Sequence, residues 1–419
     1  MPRAEAGYAA PVTPIDLERI RADVHALAAM TRDSAGAGER RSAAWLAGRL
    51  REQGAQVEVQ SYRGAPTFGH VTALLAATAL AGSLTRWRLP AGAAVLALWE
   101  ADASGRARPL RRALPRGEGA NVVARVPASG EARGTVVLVA HHDAARTGLM
   151  WHPRITEAGA ARHARRRRID PYALPAALAV AGAALGLRAA RVGLAAVVAL
   201  QLEVARGATV PGADDNATGV AVALDLARAP QEHLDLVVVL PGGEEAGMEG
   251  FAAALRRLDL DPARTFVLGL DTLGAGTPIV LEADVGVLRH RYRREDLALA
   301  DAGAAAAGEP PPERWRIGGW TDPLLARHAG LRAISLLSIG PGHFPHYHRP
   351  TDTPEHVDWR SVERCARLAR GIVAAYAAAP GTTQPAIATK WQTAAAMTNA
   401  WKTSWKPKTR GHGSGRRRA

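Results

Sequence analysis

The chain has 419 residues, of which 47% are hydrophobic and 22% charged, and its formal net charge is +14. That composition excludes wholesale disorder, and the length allows one large domain or two to three smaller ones. A single cysteine, Cys365, excludes a disulfide framework within the chain and suits a reducing compartment. The positive charge does not mark a nucleic-acid binder: apart from Arg165 to Arg168 and the basic C-terminal stretch, the arginines are scattered among alanines and read as solvated helix faces, so no specific nucleic acid is expected.

No apolar run of signal-peptide length follows Arg3, so no cleaved export signal is expected. Residues 15–60 read as two amphipathic helices, IDLERIRADVHALAAM and GERRSAAWLAGRLREQG, and then a strand, AQVEVQSYRG; Gly54 is a plausible helix stop. Residues 71–99 read as two apolar segments joined by the arginine-bearing turn LTRWRLP. Buried-looking strands follow at 121–127 and 134–140. A second apolar pair spans 172–205 around the turn GLRAARVG. Helices are expected at 216–229, 248–257 and 361–379, alternating with strands at 234–240, 265–270 and 332–339. After Pro380 the apolar pattern stops, and 380–419 reads as a disordered basic tail.

Continuous apolar strands alternating with helices indicate an α/β fold, a mostly parallel mixed sheet flanked by helices, with two inserted hydrophobic helical hairpins. The catalytic domain is expected at 15–68, 117–150 and 211–379, with inserts at 69–116 and 151–210. The hairpins have two readings. One is a helical subdomain packed on the α/β core. The other is membrane association through 71–99 and 172–205, with the catalytic domain cytoplasmic, because arginines cluster after the first hairpin (Arg106, Arg108, Arg111, Arg112, Arg116) and before the second (Arg165 to Arg168). Tyr172 to Leu187 is about 24 Å long as a helix against roughly 30 Å of hydrocarbon, which favours a re-entrant or interfacial hairpin over a spanning one.

The stretch PGADDNATGV sets Asp214, Asp215 and Asn216 just before an apolar helix. One carboxylate there caps a helix; a second adds repulsion without a second helix to cap, and a bound cation is one remedy. Ligands of open parallel sheets sit beyond the carboxyl ends of the strands. Strand 134–140 runs into His141, His142 and Asp143; strand 234–240 into PGGEEAG with Glu244 and Glu245; strand 265–270 into Asp271; and strand 332–339 into GPGHFPHYHRPTDT, with His343, His346, Tyr347, His348 and Asp352. Histidine and carboxylate donors without cysteine suit zinc or another divalent first-row metal in a hydrolytic site. Paired glutamates allow one carboxylate to hold an ion and its neighbour to act as base.

HHD after a strand, GADDNATGV, GGEEAGMEG, a strand-terminal aspartate and YHRPTDT, in this order, resemble the di-zinc exopeptidases that include bacterial leucyl aminopeptidase and glutamate carboxypeptidase II. The resemblance covers about 15–68 and 117–379. It implies two zinc ions, one held by His141, Asp215 and Asp271 and the other by Asp215, Glu245 and His348. It implies Glu244 as general base and Tyr347 as donor to the oxyanion, with Asp143, Asp214 and Asp352 behind the ligands. The implied substrate is a peptide, and the implied reaction is release of an N-terminal residue. A glutaminyl cyclase or other amidohydrolase, or a non-catalytic membrane scaffold, are the alternatives on the same fold. Two features depart from the family: WTDPLL keeps Asp322 where Ser-Asp-His is usual, and a long insertion separates His141 from Asp215. His142 is expected to point away from the site, and His343 and His346 to lie in a loop.

Overall fold

The computed structural model describes residues 14–378 and Pro380, so the expected basic tail at 380–419 otherwise lies outside the described residues. Helix α1 (Leu17–Ala28) begins where the Asp16 carboxylate accepts a hydrogen bond from the Arg19 amide, and buries Ile20, Val24 and Leu27 at helical spacing. Helix α2 (Ala37–Glu52) buries Leu46 and Leu50 one turn apart. Strand β1 (Gln56–Gly64) leads into helices α3 (Gly69–Gly82) and α4 (Arg88–Ala103), then strands β2 (Gly117–Val126) and β3 (Gly134–Val139). Two short helices, α5 (Pro153–Thr156) and α6 (Ala160–Arg166), precede the pair α7 (Leu174–Ala184) and α8 (Arg188–Arg206). The remainder alternates: α9 (Gly219–Leu226), β4 (Leu234–Leu240), α10 (Glu249–Leu255), β5 (Thr265–Leu270), β6 (Thr277–Val285), β7 (Arg289–Arg291), α11 (Arg294–Ala307), β8 (Glu313–Ile317), α12 (Pro323–His328), β9 (Arg332–Ile339) and α13 (Trp359–Ala378).

Nine strands form one sheet in the order β1-β2-β4-β3-β5-β9-β6-β7, with β8 also paired to β6. The central strands β4, β3, β5 and β9 are mutually parallel, and every residue of β5 and β9 is buried. Helices cover both faces, which is why these strands are predominantly apolar rather than alternating. The flanks are antiparallel: β2 against β4 and β1, and β6 against β9 and β7. Strands β6 to β8 and helix α11 were not visible in the sequence pattern. Strand β8, ERWRI, carries three charged residues in five, among them Glu313 and Arg314, and so lacks the apolar signature of the centre.

The two apolar helix pairs pack on each other as well as within themselves, α3 touching α4, α7 and α8. Their interior, including Val71, Leu75, Val95, Trp99, Val180 and Leu194, is a cluster separate from that of the sheet. Both helix turns end side by side: the Arg191 guanidinium donates to the Ser83 carbonyl at 2.8 Å. Among the described residues no helix is long and apolar enough to cross a membrane. The longest of the four, α8, is about 28 Å long and carries Arg188, Arg191, Glu203 and Arg206.

Three polar contacts fasten this bundle to the sheet. Arg111 donates to both oxygens of Asp102 at 2.8 and 2.7 Å and to Glu249 on α10 at 3.3 Å, all three side chains being buried. Glu100 on α4 lies 2.6 Å from His290 on β7 and accepts the amides of Val287 and Leu288. Arg108 donates to the Gly247 carbonyl. Removing one member of a buried ion group strands the others in a low-dielectric site. Arg111→Ala is therefore expected to lower unfolding free energy by about 3–5 kcal/mol, read by chemical denaturation, whereas Arg112→Ala, exposed next door, stays within about 0.5 kcal/mol. Equal effects would show that the buried triad does not hold the bundle.

Candidate metal centre

Each of four parallel strands delivers its side chain as it ends. Beyond β3, His142 turns back into the core, with Nδ1 2.8 Å from Ser42 Oγ and Nε2 2.9 Å from the Ala120 carbonyl. Burial pulls its pKa down to about 4, so it packs as a neutral ring. His141 faces the other way. Its Nδ1 is 3.5 Å from an Asp143 carboxylate oxygen and 3.3 Å from the Asp143 carbonyl. The same Asp143 carboxylate accepts Ser34 Oγ at 2.7 Å and the amides of Glu244 and Glu245 at 3.1 and 3.2 Å. One buried carboxylate thus orients His141 and fixes the turn beyond β4.

That turn needs its glycines. A Cβ on Gly242 would stand within 2.6 Å of the Glu39 carboxylate, and Gly243, at φ +61, would meet the Tyr62 hydroxyl at 2.4 Å. Glu39 accepts the amides of Ala35, Ala120 and Gly243 and the hydroxyl of Tyr62, and burial pushes its carboxyl up to about 8. Arg32, fully buried, donates to the carbonyls of His142, Pro211 and Gly212. Burial lowers its pKa to about 10, which leaves it charged at neutral pH. Neither residue stood in a motif, and nothing in the local pattern distinguished them from the other charged residues of the first helices.

The two crowded aspartates do different work, and neither caps α9, which starts later than expected. Residues Ala213–Thr218 form a wide turn in which Asp215 and Asn216 have non-helical angles. The Asp214 carboxylate accepts the Gly274 amide at 2.6 Å, holding the loop after β5. The cap-like contact comes from Asn216, whose Oδ1 accepts the Gly219 amide at 3.0 Å. Asp352 accepts the amides of Asp214 and Asp215 at 2.8 and 3.1 Å and so fixes the backbone beneath them. This leaves the Asp215 carboxylate free to face two histidines. Its Oδ1 lies 3.3 Å from His141 Nε2 and its Oδ2 3.2 Å from His348 Nε2.

Around these, Asp271 lies 3.8 Å and Glu244 4.0 Å from His141 Nε2, and Glu245 lies 3.1 Å from His348 Nε2. Donor atoms of His141, Asp215 and Asp271, of His141, Glu244 and Glu245, and of Asp215, Glu245 and His348 each lie within 4.8 Å of one another. His348 Nε2 has no hydrogen-bond partner among the described residues, although two carboxylate oxygens face it at close range, and Glu245 Oε1 is also without one. Nitrogen and oxygen atoms that converge without hydrogen-bond alignment fit a cation, and the histidine–carboxylate set fits zinc.

Electrostatics point the same way. Burial opposes charge on His348, but Glu245 and Asp215 outweigh it and push its pKa up to about 10. His141 is likewise held well above the ordinary imidazole value against burial, by Glu244, Asp143, Asp215 and Asp271. Burial pushes Glu245 up to about 7 and Glu244 well above the usual carboxylate range. Asp322 is buried with neither oxygen hydrogen-bonded among the described residues, and burial pushes it up to about 8. Tyr347 stacks on His348 at 3.8 Å and on Tyr172 at 5.9 Å, and burial together with Asp215 and Glu245 keeps its phenol protonated. His346 bonds Thr351 within its own loop at 2.9 Å, and neither it nor His343 joins these donor groups.

Residues 196–373 match Peptidase family M28. This stretch holds Asp215, Glu244, Glu245, Asp271, Tyr347 and His348. No protein of curated function matches the chain. Among solved structures, an aminopeptidase from Aneurinibacillus sp. strain AM-1 aligns at 16% identity and TM-score 0.54, over 90% of this chain and 97% of that one. BSAP, a zinc aminopeptidase from Bacillus subtilis, aligns at 15% and 0.54 over 90% and 98%. A Porphyromonas gingivalis glutaminyl cyclase aligns at 15% and 0.51 over 87% and 99%. At these identities the likeness is one of fold. The strand-end donors thus gather at one edge of the sheet, and residues 196–373, which carry most of them, resemble Peptidase family M28 on a fold like that of the zinc aminopeptidases.

Proposed function

We propose that the chain is a di-zinc exopeptidase, an aminopeptidase that releases N-terminal residues from peptides. The observation that carries this reading is Asp215, whose two oxygens face different histidines at 3.3 and 3.2 Å, as a carboxylate shared by two cations does. One ion is assigned to His141, Asp215 and Asp271, and the other to Asp215, Glu245 and His348. Asp143 orients His141, while Asp352 and Asp214 hold the backbone and the loop that frame Asp215. Zinc in this site supplies a Lewis acid that polarises the scissile carbonyl and makes water a better nucleophile. Glu244 is the base: burial raises its affinity for a proton, which suits a group that takes one from water and hands it to the departing amine. Tyr347 keeps its proton and donates to the carbonyl oxygen as charge develops there.

A glutaminyl cyclase shares the fold, but two donor groups joined through Asp215 favour a pair of ions. A non-catalytic scaffold is disfavoured by the presence of Glu244 beside a full ligand set.

The place of action forms part of the same proposal. Leu84, Trp87, Leu185 and Leu187 stand exposed at the adjoining helix turns, together with Arg86, Arg88 and Arg188. Apolar side chains and a tryptophan ringed by arginines suit shallow contact with an anionic bilayer.

Three measurements test these points. Glu244→Gln is expected to keep two zinc ions per chain while kcat falls by about 10²- to 10⁴-fold, whereas Asp215→Ala loses most of the bound zinc; turnover by Glu244→Gln at the wild-type rate removes the base assignment. Protonated His141 and His348, and the protonated fraction of Glu245, must discharge to bind a cation, so zinc uptake at pH 7 is expected to release roughly two to three protons, seen by calorimetry in buffers of different ionisation enthalpy. Because those histidine pKa values are raised, protons compete below them and zinc affinity weakens as pH falls. No proton release would exclude the histidines as donors. Finally, the chain is expected to sediment with phosphatidylglycerol vesicles and not phosphatidylcholine ones, and Leu84→Asp with Leu187→Asp to remain in the supernatant; wild-type protein that binds neither vesicle removes the membrane reading.

A further inference from the structure

Two chambers open on the metal cluster. The smaller, about 50 Å³, is walled mainly by the catalytic domain through Ile317, Leu337 and Phe344, with Ile169 of the insertion completing it. The larger, about 190 Å³, runs away from it into the helical bundle, where Phe68, Val71, Leu75, Trp99 and Ala176 line it. They meet at Tyr172, Glu244, Glu245, Trp320 and Tyr347, so the base faces both. Trp151, from the insertion between β3 and α9, forms an aromatic wall along the join. Its ring stands edge-on to His348 at 4.3 Å, to Tyr172 at 5.3 Å, to Tyr347 at 5.4 Å and to Phe68 at 6.5 Å.

We propose that the inserted helices build a subsite for a large apolar side chain on the residue that follows the scissile bond. This rests on the aminopeptidase reading above. An exopeptidase needs one side of its scissile bond closed and the other open to the remainder of the chain. The smaller chamber, bounded by the catalytic domain, is the closed side and takes the terminal residue. The larger one takes the next residue, which leaves with the amine that Glu244 protonates. Its walls are mostly aromatic and aliphatic, with the Arg111–Asp102 pair and Gln201 among them, and aromatic rings offer edges and faces to a leucine, phenylalanine or tryptophan side chain. The bundle thereby becomes part of the site: α3, α4 and α7 each contribute a wall, and the Arg111, Glu100 and Arg108 contacts that fasten it to the sheet hold the chamber in place.

Hydrolysis of Leu-Phe, Leu-Leu and Leu-Gly by the zinc-loaded full chain tests the proposal. The first two are expected to exceed Leu-Gly in kcat/KM by about ten-fold or more, the discrimination that burial of such a side chain supplies. Ala176→Phe and Ala103→Leu fill the chamber from two different walls, and in each the Leu-Phe to Leu-Gly ratio is expected to fall toward one. A ratio near one in the wild type, or an unaltered ratio in both folded variants, overturns the subsite while leaving the peptidase reading intact. If none of the three peptides is cleaved, the peptidase reading fails, and calorimetry then decides the subsite on its own: L-phenylalanine is expected to bind about ten-fold more tightly than L-alanine, with the difference lost in both variants. Equal affinities overturn it.

Discussion

The constraint on which the molecule turns is the crowding of carboxylates at one edge of the sheet. Asp143, Asp214, Asp215, Asp322 and Asp352 are all at most 6% exposed, and Glu244, Glu245 and Asp271 stand beside them. Isolated, such charges are expelled from a protein interior or neutralised. Here they are held by backbone amides, by two histidines and by the fully buried Arg32 beneath the turn. Much of the local architecture follows from this need. The cramped glycine turn after β4, the wide turn before α9 and the loop after β5 each present amides to a buried carboxylate. On the proposed reading, what amides and histidines leave uncompensated falls to a cation, so the proposed ligands and the structural acids of this site act together.

The sequence reading was strongest where a strand ends in a polar residue. Apolar strands buried on both faces are legible as continuous runs, and the loops that follow them carry histidines and acids to the ligand edge of an open parallel sheet. His141, Glu244, Glu245, Asp271 and His348 are brought together this way. Less legible was anything whose role comes from a distant partner. Glu39 and Arg32 lie in the loop and helix that follow α1, far in sequence from the turns they support. The cap before α9 falls to Asn216 and not to Asp214, for a related reason: the Asp214 carboxylate is taken by a tertiary contact to the Gly274 amide. The charged strand β8 and its neighbours escaped notice because their position is set by pairing with β6 rather than by an apolar run.

The helical insert adds surroundings of its own to the chemical edge of the sheet. The sheet supplies the donors, and the insert supplies aromatic and aliphatic surface within reach of them, through Trp151 and the walls of α3, α4 and α7. Its attachments are polar and buried. Such contacts fix orientation more than they add net stability, because much of their Coulombic gain offsets desolvation. The alanines and glycines of the four helices let their backbones approach closely, as where a Cβ on Gly92 would meet Ala184 at 2.6 Å.

The interleaving of this bundle with the sheet also sets an order of events during synthesis. Residues 69–103 leave the ribosome before β3, yet they pack against residues 174–206, which emerge after it. His141 is made between the two pairs, Asp215 after both, and His348 last among the donors. The first apolar pair must therefore wait for its partner, exposed or sheltered by other factors, while the donor set stays incomplete. On the proposed reading, cation loading is in consequence a late step, because the donor set is complete only once His348 has reached the edge of the sheet.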